Sequence, residues 1–314
     1  MQNKSRSNSS QLTNTLVMVS PDHFGFNPET AESNIFQHRV SQSESEIQKR
    51  AMKEFAEAVE KLRSENLKIL NLESPRGVTP DAVFPNNWFS HHDDGRLVIY
   101  PMLASNRRAE RQIEHLKRLL TQNGAQNLKI IDLTSDENSG NILEGTGSLV
   151  LDRKNKVAFS MESPRTVKKE FEKWCNLMGY EGVLFHSYDK AGFPVYHTNV
   201  TMSVGREYSI ICLESIKNIP EREIVSSKLH DLGKDIIEIS IEQIYMYCGN
   251  TLQVVDSEGN PKIIMSETAK NGFSNNQLKI LEKYGRIVTI NIPEIETIGG
   301  GSARCMLAEV FLQD

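Results

Sequence analysis

A five-bladed α/β propeller is the fold this sequence predicts, on three observations. A unit of two strands, a helix and a third strand recurs along the chain. A strand-like segment at the C-terminus is left to pair with one near the N-terminus and close a ring. A chemically capable polar residue opens each unit, which places one such group per blade at a common centre.

The chain has 314 residues, 38% hydrophobic and 25% charged, enough apolar content for one large domain or two average ones. The net charge of −5 comes from interspersed Asp, Glu, Lys and Arg, without the basic stripe of a nucleic-acid binder. No apolar run approaches the roughly 20 residues needed to span a bilayer, and the N-terminus lacks the apolar core of a signal peptide. Nucleic acid and membrane are therefore not expected partners, and the expected compartment is the cytoplasm. Cys175, Cys212, Cys248 and Cys305 are scattered, with no CxxC pair to suggest zinc or thioredoxin-like chemistry.

Residues 1–12 are polar and rich in Ser and Asn, and are expected to form a disordered tail ahead of a single catalytic domain over 13–314. The β-prone run Asn14-Thr-Leu-Val-Met-Val opens that domain. A polar loop with Gly25, Pro28 and Asn34 leads to a helical pattern from about Glu44 to Glu65, with Ala51, Phe55, Val59 and Leu62 on one face, and a strand from Lys68 follows. The recurring unit then reads as strands near 84–90 and 96–100, a helix over 106–121 and a strand over 128–133. It repeats at 142–151, 155–161, 165–178 and 182–187, and again at 195–203, 206–213, 220–232 and 235–240. The last full copy covers 250–255, 261–265, 274–284 and 286–291, and a strand near 303–312 should pair with the N-terminal one.

The residues at the blade starts are Asp81 in TPDAVFPNNW, Glu144 in GNILEGTGSLV, His197 in YHTNVTM, Asn250 in CGNTLQVV and Cys305 in GGGSARCML. Singly, each has an ordinary reading: Cys305 as a small buried hydrophobe, His197 as a satisfied structural histidine, Glu144 as a turn carboxylate. Together, brought to one axis, they supply a thiol, an imidazole and a carboxylate, the general arrangement for thiol nucleophilic catalysis. The Gly299-Gly-Gly run just ahead of Cys305 permits close backbone approach to a ligand, which further favours the site.

The segments FGFNPETAESNIFQ, PDAVFPNNW, GNILEGTGSLVLDR, VYHTNV and GGGSARCM carry a resemblance over about residues 13–312 to the guanidino-group-modifying enzymes, the amidinotransferase/deiminase superfamily with the pentein fold. Among its branches the chain looks most like the bacterial citrulline ureidases, which hydrolyse citrulline to ornithine, carbon dioxide and ammonia. The resemblance implies Cys305 as nucleophile, His197 as general acid/base, Glu144 as the carboxylate that orients it, and Asp81 as a grip on the head-group nitrogens. SNRRAE is similar to the RRxE segment of the dimethylarginine hydrolase branch and SPRT to its KRT segment, so Arg108 and Arg165 become candidates for the substrate α-carboxylate. It also implies no metal, no organic cofactor, and a small citrulline-like or arginine-like substrate, and leaves room for a homo-oligomer.

One departure bears on the substrate. Guanidine-acting members commonly have His-x-Asp, whereas this chain has His197-Thr198-Asn199. An amide both donates and accepts hydrogen bonds and suits a neutral ureido group, beside which an unpaired buried carboxylate would cost several kcal/mol. The change favours citrulline. The other readings are an arginine deiminase-type enzyme or an amidinotransferase on the same scaffold, and, outside enzymes, a propeller that binds an amino acid.

Overall fold

The computed structural model describes residues 10–312. Its strands form five separate three-stranded sheets arranged as the blades of a propeller. In each blade an antiparallel pair is followed by a parallel third strand reached through a crossover helix. The second sheet shows the pattern: Leu149–Asp152 pairs antiparallel with Val157–Met161, which pairs parallel with Glu181–Phe185 after the helix Lys168–Met178. The expected closure is present, with Thr15 opposite Val310 in an antiparallel pair and Thr15–Val19 parallel to Lys68–Leu72. Small sheets closed into a ring leave only short edges, and the helices cover them.

The long helix Glu44–Ser64 begins at Ser43, whose hydroxyl and the Glu46 side chain form a reciprocal capping box. Its apolar stripe, Ala51, Phe55, Val59 and Leu62, is buried as the 3.6-residue period predicts. The first nine residues of the expected tail lie outside the described residues. Gln11 and Leu12 at its end are buried, and the Gln11 side chain donates to Leu151 O at 3.0 Å and accepts from Arg153 N at 2.7 Å. No helix among the described residues is long and apolar enough to cross a membrane.

The predicted inner strands start too early in every blade. The residues assigned to their first halves form short helical turns at Pro85–Asn87, Gly145–Ser148, Thr198–Thr201 and Ala303–Met306, and the strands proper begin at Phe89, Leu149, Met202 and Ala308. In the fourth blade the strand begins at Leu252 after a turn. Four residues are too few to show a helical period, so the β-prone apolar residues around them dominate the sequence pattern. Three of these turns matter because they deliver a polar residue to the centre, Glu144 and His197 at their caps and Cys305 within. The predicted helix over 106–121 is likewise interrupted, into Ser105–Arg108 and Ile113–Gln122.

Candidate active site

A narrow cavity of about 10 Å³ at the centre is lined by Asp81, Arg107, Arg165, His197 and Cys305, together with Asn34 and Asn87. Backbone geometry explains how the second blade reaches it. Gly145 has φ of +46°, and a Cβ there would lie 2.3 Å from Asn86 O. A Cβ on Gly147 would stand 2.8 Å from His197 Nδ1, so only glycine lets the Glu144 turn pack against the imidazole. Ser148 ties this turn down: its hydroxyl accepts from Glu144 N at 3.0 Å and donates to Arg165 O at 2.9 Å. Thr198 Oγ1 donates to Ser148 O at 2.6 Å, which fixes the neighbouring turn that bears His197.

His197 Nε2 and Glu144 Oε2 are 2.8 Å apart and both side chains are buried. With the Nε2–H donated to the carboxylate, Nδ1 is the ring nitrogen left free to accept a proton. Burial pushes the imidazole down to about 4 against the pull of Glu144, and the Arg165 and Arg107 guanidinium groups add to the depression. Burial alone would raise the Glu144 carboxyl. Arg165, the His197 hydrogen bond and Arg107 outweigh it and hold that group at about 2. At neutral pH the pair is therefore a neutral imidazole on an ionised carboxylate.

Cys305 is 4% exposed, and two amides aim N–H groups at its sulfur: Asn250 Nδ2 at 3.3 Å and Asn199 Nδ2 at 3.5 Å. Asn250 Oδ1 accepts from Arg304 N at 3.0 Å, and its Nδ2 also donates to Asn199 O at 3.0 Å, which fixes the amide with nitrogen toward sulfur. Asn199 thus faces the thiol.

Asp81 Oδ2 accepts from Asn27 Nδ2 at 2.7 Å and Thr30 Oγ1 at 3.1 Å. Among the described residues its Oδ1 is buried with no hydrogen-bond partner. A buried carboxylate oxygen left this way costs free energy unless a donor meets it. Arg165 donates to Ser33 Oγ at 2.8 Å and Thr30 O at 3.1 Å, and stacks over the Tyr196 ring at 4.7 Å.

Of the residues singled out from the sequence, Asp81, Arg165, His197 and Cys305 line this cavity, Glu144 backs His197, and Asn199 and Asn250 reach the sulfur from outside its wall, Asn199 lining a second cavity. Arg108 does none of these. Its guanidinium donates to Met102 O at 3.0 Å and Asn138 Oδ1 at 2.7 Å and lies 3.6 Å from Glu137, outside the cavity wall. Arg107 takes that place, fully buried, bonded to Glu110 at 2.9 Å and to Asn87 Oδ1 at 2.8 Å. In a four-residue helix neighbouring side chains diverge by about 100°, so only one of two adjacent arginines can face inward. Asn27, Asn34 and Asn87 were also missed. The first two sit in FGFNPETAESNIFQ, already marked by the resemblance, and Asn87 adjoins the Asp81 segment. Among the described residues no group of three or more His, Cys, Asp and Glu could hold a metal ion.

The family model described as "N,N dimethylarginine dimethylhydrolase, eukaryotic" matches residues 20–312. The chain belongs to this family. It is accordingly an enzyme of the pentein C–N hydrolase type, within the guanidino-group-modifying superfamily. Among solved structures it is similar to the N-terminal domain of ArgZ, an arginine dihydrolase of the ornithine-ammonia cycle in cyanobacteria, crystallised with substrate. That pair shares 16% identity with a TM-score of 0.70, over 95% of this chain and 99% of that one. It is similar to AgrE, solved with L-arginine, at 15% identity and TM-score 0.71, over 96% of this chain and 41% of that one. A third likeness is to DDAH from Pseudomonas aeruginosa in complex with citrulline, at 15% identity and TM-score 0.66, over 95% and 99% of the two chains. Identities this low speak for the common fold. Among curated proteins, none matches the chain.

Proposed function

We propose that the protein hydrolyses the ureido group of citrulline to ornithine, carbon dioxide and ammonia, with Cys305 as nucleophile. The observation that carries this reading is the set of groups around the sulfur, where the neutral amides of Asn199 and Asn250 stand rather than a second carboxylate. The cavity's charges, Asp81 and Glu144 against Arg107 and Arg165, balance when Glu110, bonded to Arg107 and raised to about 7 by burial, is protonated. A neutral head group enters such a wall without leaving an unpaired buried charge.

In the first half-reaction the Cys305 thiol passes its proton to His197 Nδ1 while sulfur bonds to the ureido carbon and the carbonyl π pair moves to oxygen. Glu144 balances the imidazolium. The C–N bond to the ornithine side chain then breaks, and His197 returns the proton to the departing nitrogen. This leaves a carbamoyl thioester on Cys305. Neutral His197 next takes a proton from water, the hydroxide adds to the thioester carbon, and the C–S bond breaks. The thiol regains its proton, and the carbamic acid released decomposes to carbon dioxide and ammonia. Asp81 Oδ1 accepts from the ureido N–H groups, and Arg165 holds the α-carboxylate.

Arginine is the second reading. An unpartnered buried oxygen on Asp81 would also suit a guanidinium, and among the similar structures ArgZ is an arginine dihydrolase and AgrE was solved with L-arginine. Product identity separates the two. Purified protein given citrulline should release ornithine and ammonia in equal amounts; release of citrulline or ornithine from arginine, with citrulline itself inert, would replace this proposal with the deiminase or dihydrolase reading.

A further inference from the structure

Behind Cys305, on the side away from the substrate cavity, a second polar cavity is lined by Asn199, Arg153, Arg304 and Glu309. Arg304 Nη2 donates to Glu309 Oε2 at 3.0 Å and Arg153 Nη2 to the same oxygen at 3.4 Å. The three side chains are 8%, 5% and 9% exposed. Two guanidinium groups therefore share one carboxylate, and one positive charge is left over. The other neighbours do not cancel it. Arg304 Nη1 donates to the neutral Leu307 O at 2.8 Å, and Arg153 lies over the Phe311 ring at 4.4 Å. His92, which meets Arg153 at 3.3 Å, is held neutral by burial and by that arginine. Tyr100, Tyr180 and His91 also stand around Arg153 and none is anionic at neutral pH: burial raises both phenols, and burial together with Arg153 lowers His91, while Lys156, which also interacts with Arg153, adds positive charge.

An excess buried charge is costly unless a counter-charge lies within reach. An anion that the reaction generates nearby is the sulfur of Cys305, the residue next to Arg304, and the two interact electrostatically. The link is also structural, because Arg304 N donates to the same Asn250 amide whose nitrogen faces the sulfur. We propose that Arg304 and Arg153, under-compensated by Glu309, form a positioned positive potential that stabilises the Cys305 thiolate as it forms. They are positioning residues: neither lines the substrate cavity, and both act through the sulfur. The substrate cavity is lined by the charged groups Asp81, Arg107 and Arg165 with His197, and Glu144 and Glu110 pair with the two arginines there.

The inference rests on Cys305 as nucleophile, but its test reads the thiol directly and does not depend on turnover. The rate of iodoacetamide labelling of Cys305 is followed by peptide mass spectrometry across a pH series, with thermal unfolding as a check on folding. Arg304→Gln should slow labelling at neutral pH by about tenfold, since one charge is removed. Arg304→Lys should restore most of the rate. Glu309→Gln should act in the opposite direction, speeding labelling, because both arginines are then unopposed. A merely structural cluster would be damaged by either change in the same sense. If Glu309→Gln slows labelling or leaves it unchanged in a folded protein, the proposal is overturned, and that holds even if Arg304→Gln fails to fold. A Cys305→Ala protein that still turns over would instead remove the nucleophile reading while leaving the labelling result to stand.

Discussion

Replacing Asn199 by Asp tests the link between the site's charge and its substrate. The amide nitrogen lies 3.5 Å from Cys305 Sγ, so the variant puts a carboxylate where an N–H donor stood. At about 4 Å two like charges repel by about 4 kcal/mol at an effective dielectric near 20, which corresponds to roughly a thousandfold in an equilibrium or rate. Part of that penalty will be relieved if the new carboxyl takes up a proton, so a loss of about a hundredfold to a thousandfold in kcat/KM for citrulline is expected. Arginine would suffer less. Its guanidinium, held on the substrate side of the sulfur, offsets the charge added behind it. The ratio of kcat/KM for arginine to that for citrulline should therefore rise by at least about tenfold, or roughly 1.4 kcal/mol. Steady-state kinetics with both substrates, alongside circular dichroism, gives the ratio free of any general loss of fold. A folded variant whose ratio is unchanged, or shifts toward citrulline, would refute the reasoning from Asn199 to a neutral head group.

Other expectations follow from the same geometry. Cys305→Ala should abolish turnover with an unchanged unfolding temperature, and iodoacetamide should label Cys305 ahead of Cys175, Cys212 and Cys248, whose thiols burial pushes up; equal labelling of all four would count against the assignment. Glu144→Gln should lower kcat by about 10² to 10⁴ with a smaller change in KM, since it holds and charge-balances the imidazole; an unchanged kcat would make Glu144 structural only. Arg165→Ala should raise KM for an α-amino acid more than for an analogue without the carboxylate, whereas Arg108→Ala, outside the cavity, should change KM little. Acid should destabilise the fold through His197. Burial holds its pKa at about 4, below the usual 6.5, so the folded state resists protonation; stability is complete above about pH 6.5 and falls by about 2 kcal/mol by pH 5. Unfolding of wild type and His197→Asn over that range should lose this difference in the variant, and parallel profiles would disprove it.

The propeller was readable because its unit repeats: strand, strand, helix, strand is a pattern that survives errors in any one boundary. The ring closure followed from the same count, since one strand remained at each end. The helical turns under the polar residues were not readable, because four residues show no period and the decisive contacts are between blades. Gly147 illustrates this: its need for glycine comes from the His197 ring, fifty residues away in sequence. Glu144, His197 and Cys305 could be selected because few side chains perform such chemistry and each opened a unit. The choice between Arg107 and Arg108 could not be made from SNRRAE, where only the orientation of a short helix decides which guanidinium turns inward. Asn27 and Thr30, which hold Asp81, lie in a segment that the resemblance marks, but nothing in its polar pattern assigns them to Asp81.

The central claim is that citrulline is cleaved through a covalent carbamoyl thioester on Cys305. Acid quenching of the protein at successive times after mixing with citrulline, followed by mass spectrometry of the Cys305 peptide, tests it most directly. The account predicts a carbamoyl adduct confined to Cys305 that forms with the release of ornithine and decays as ammonia appears, and no turnover in Cys305→Ala. Ornithine released at full rate by the Cys305→Ala protein, or an adduct on another residue, would contradict it.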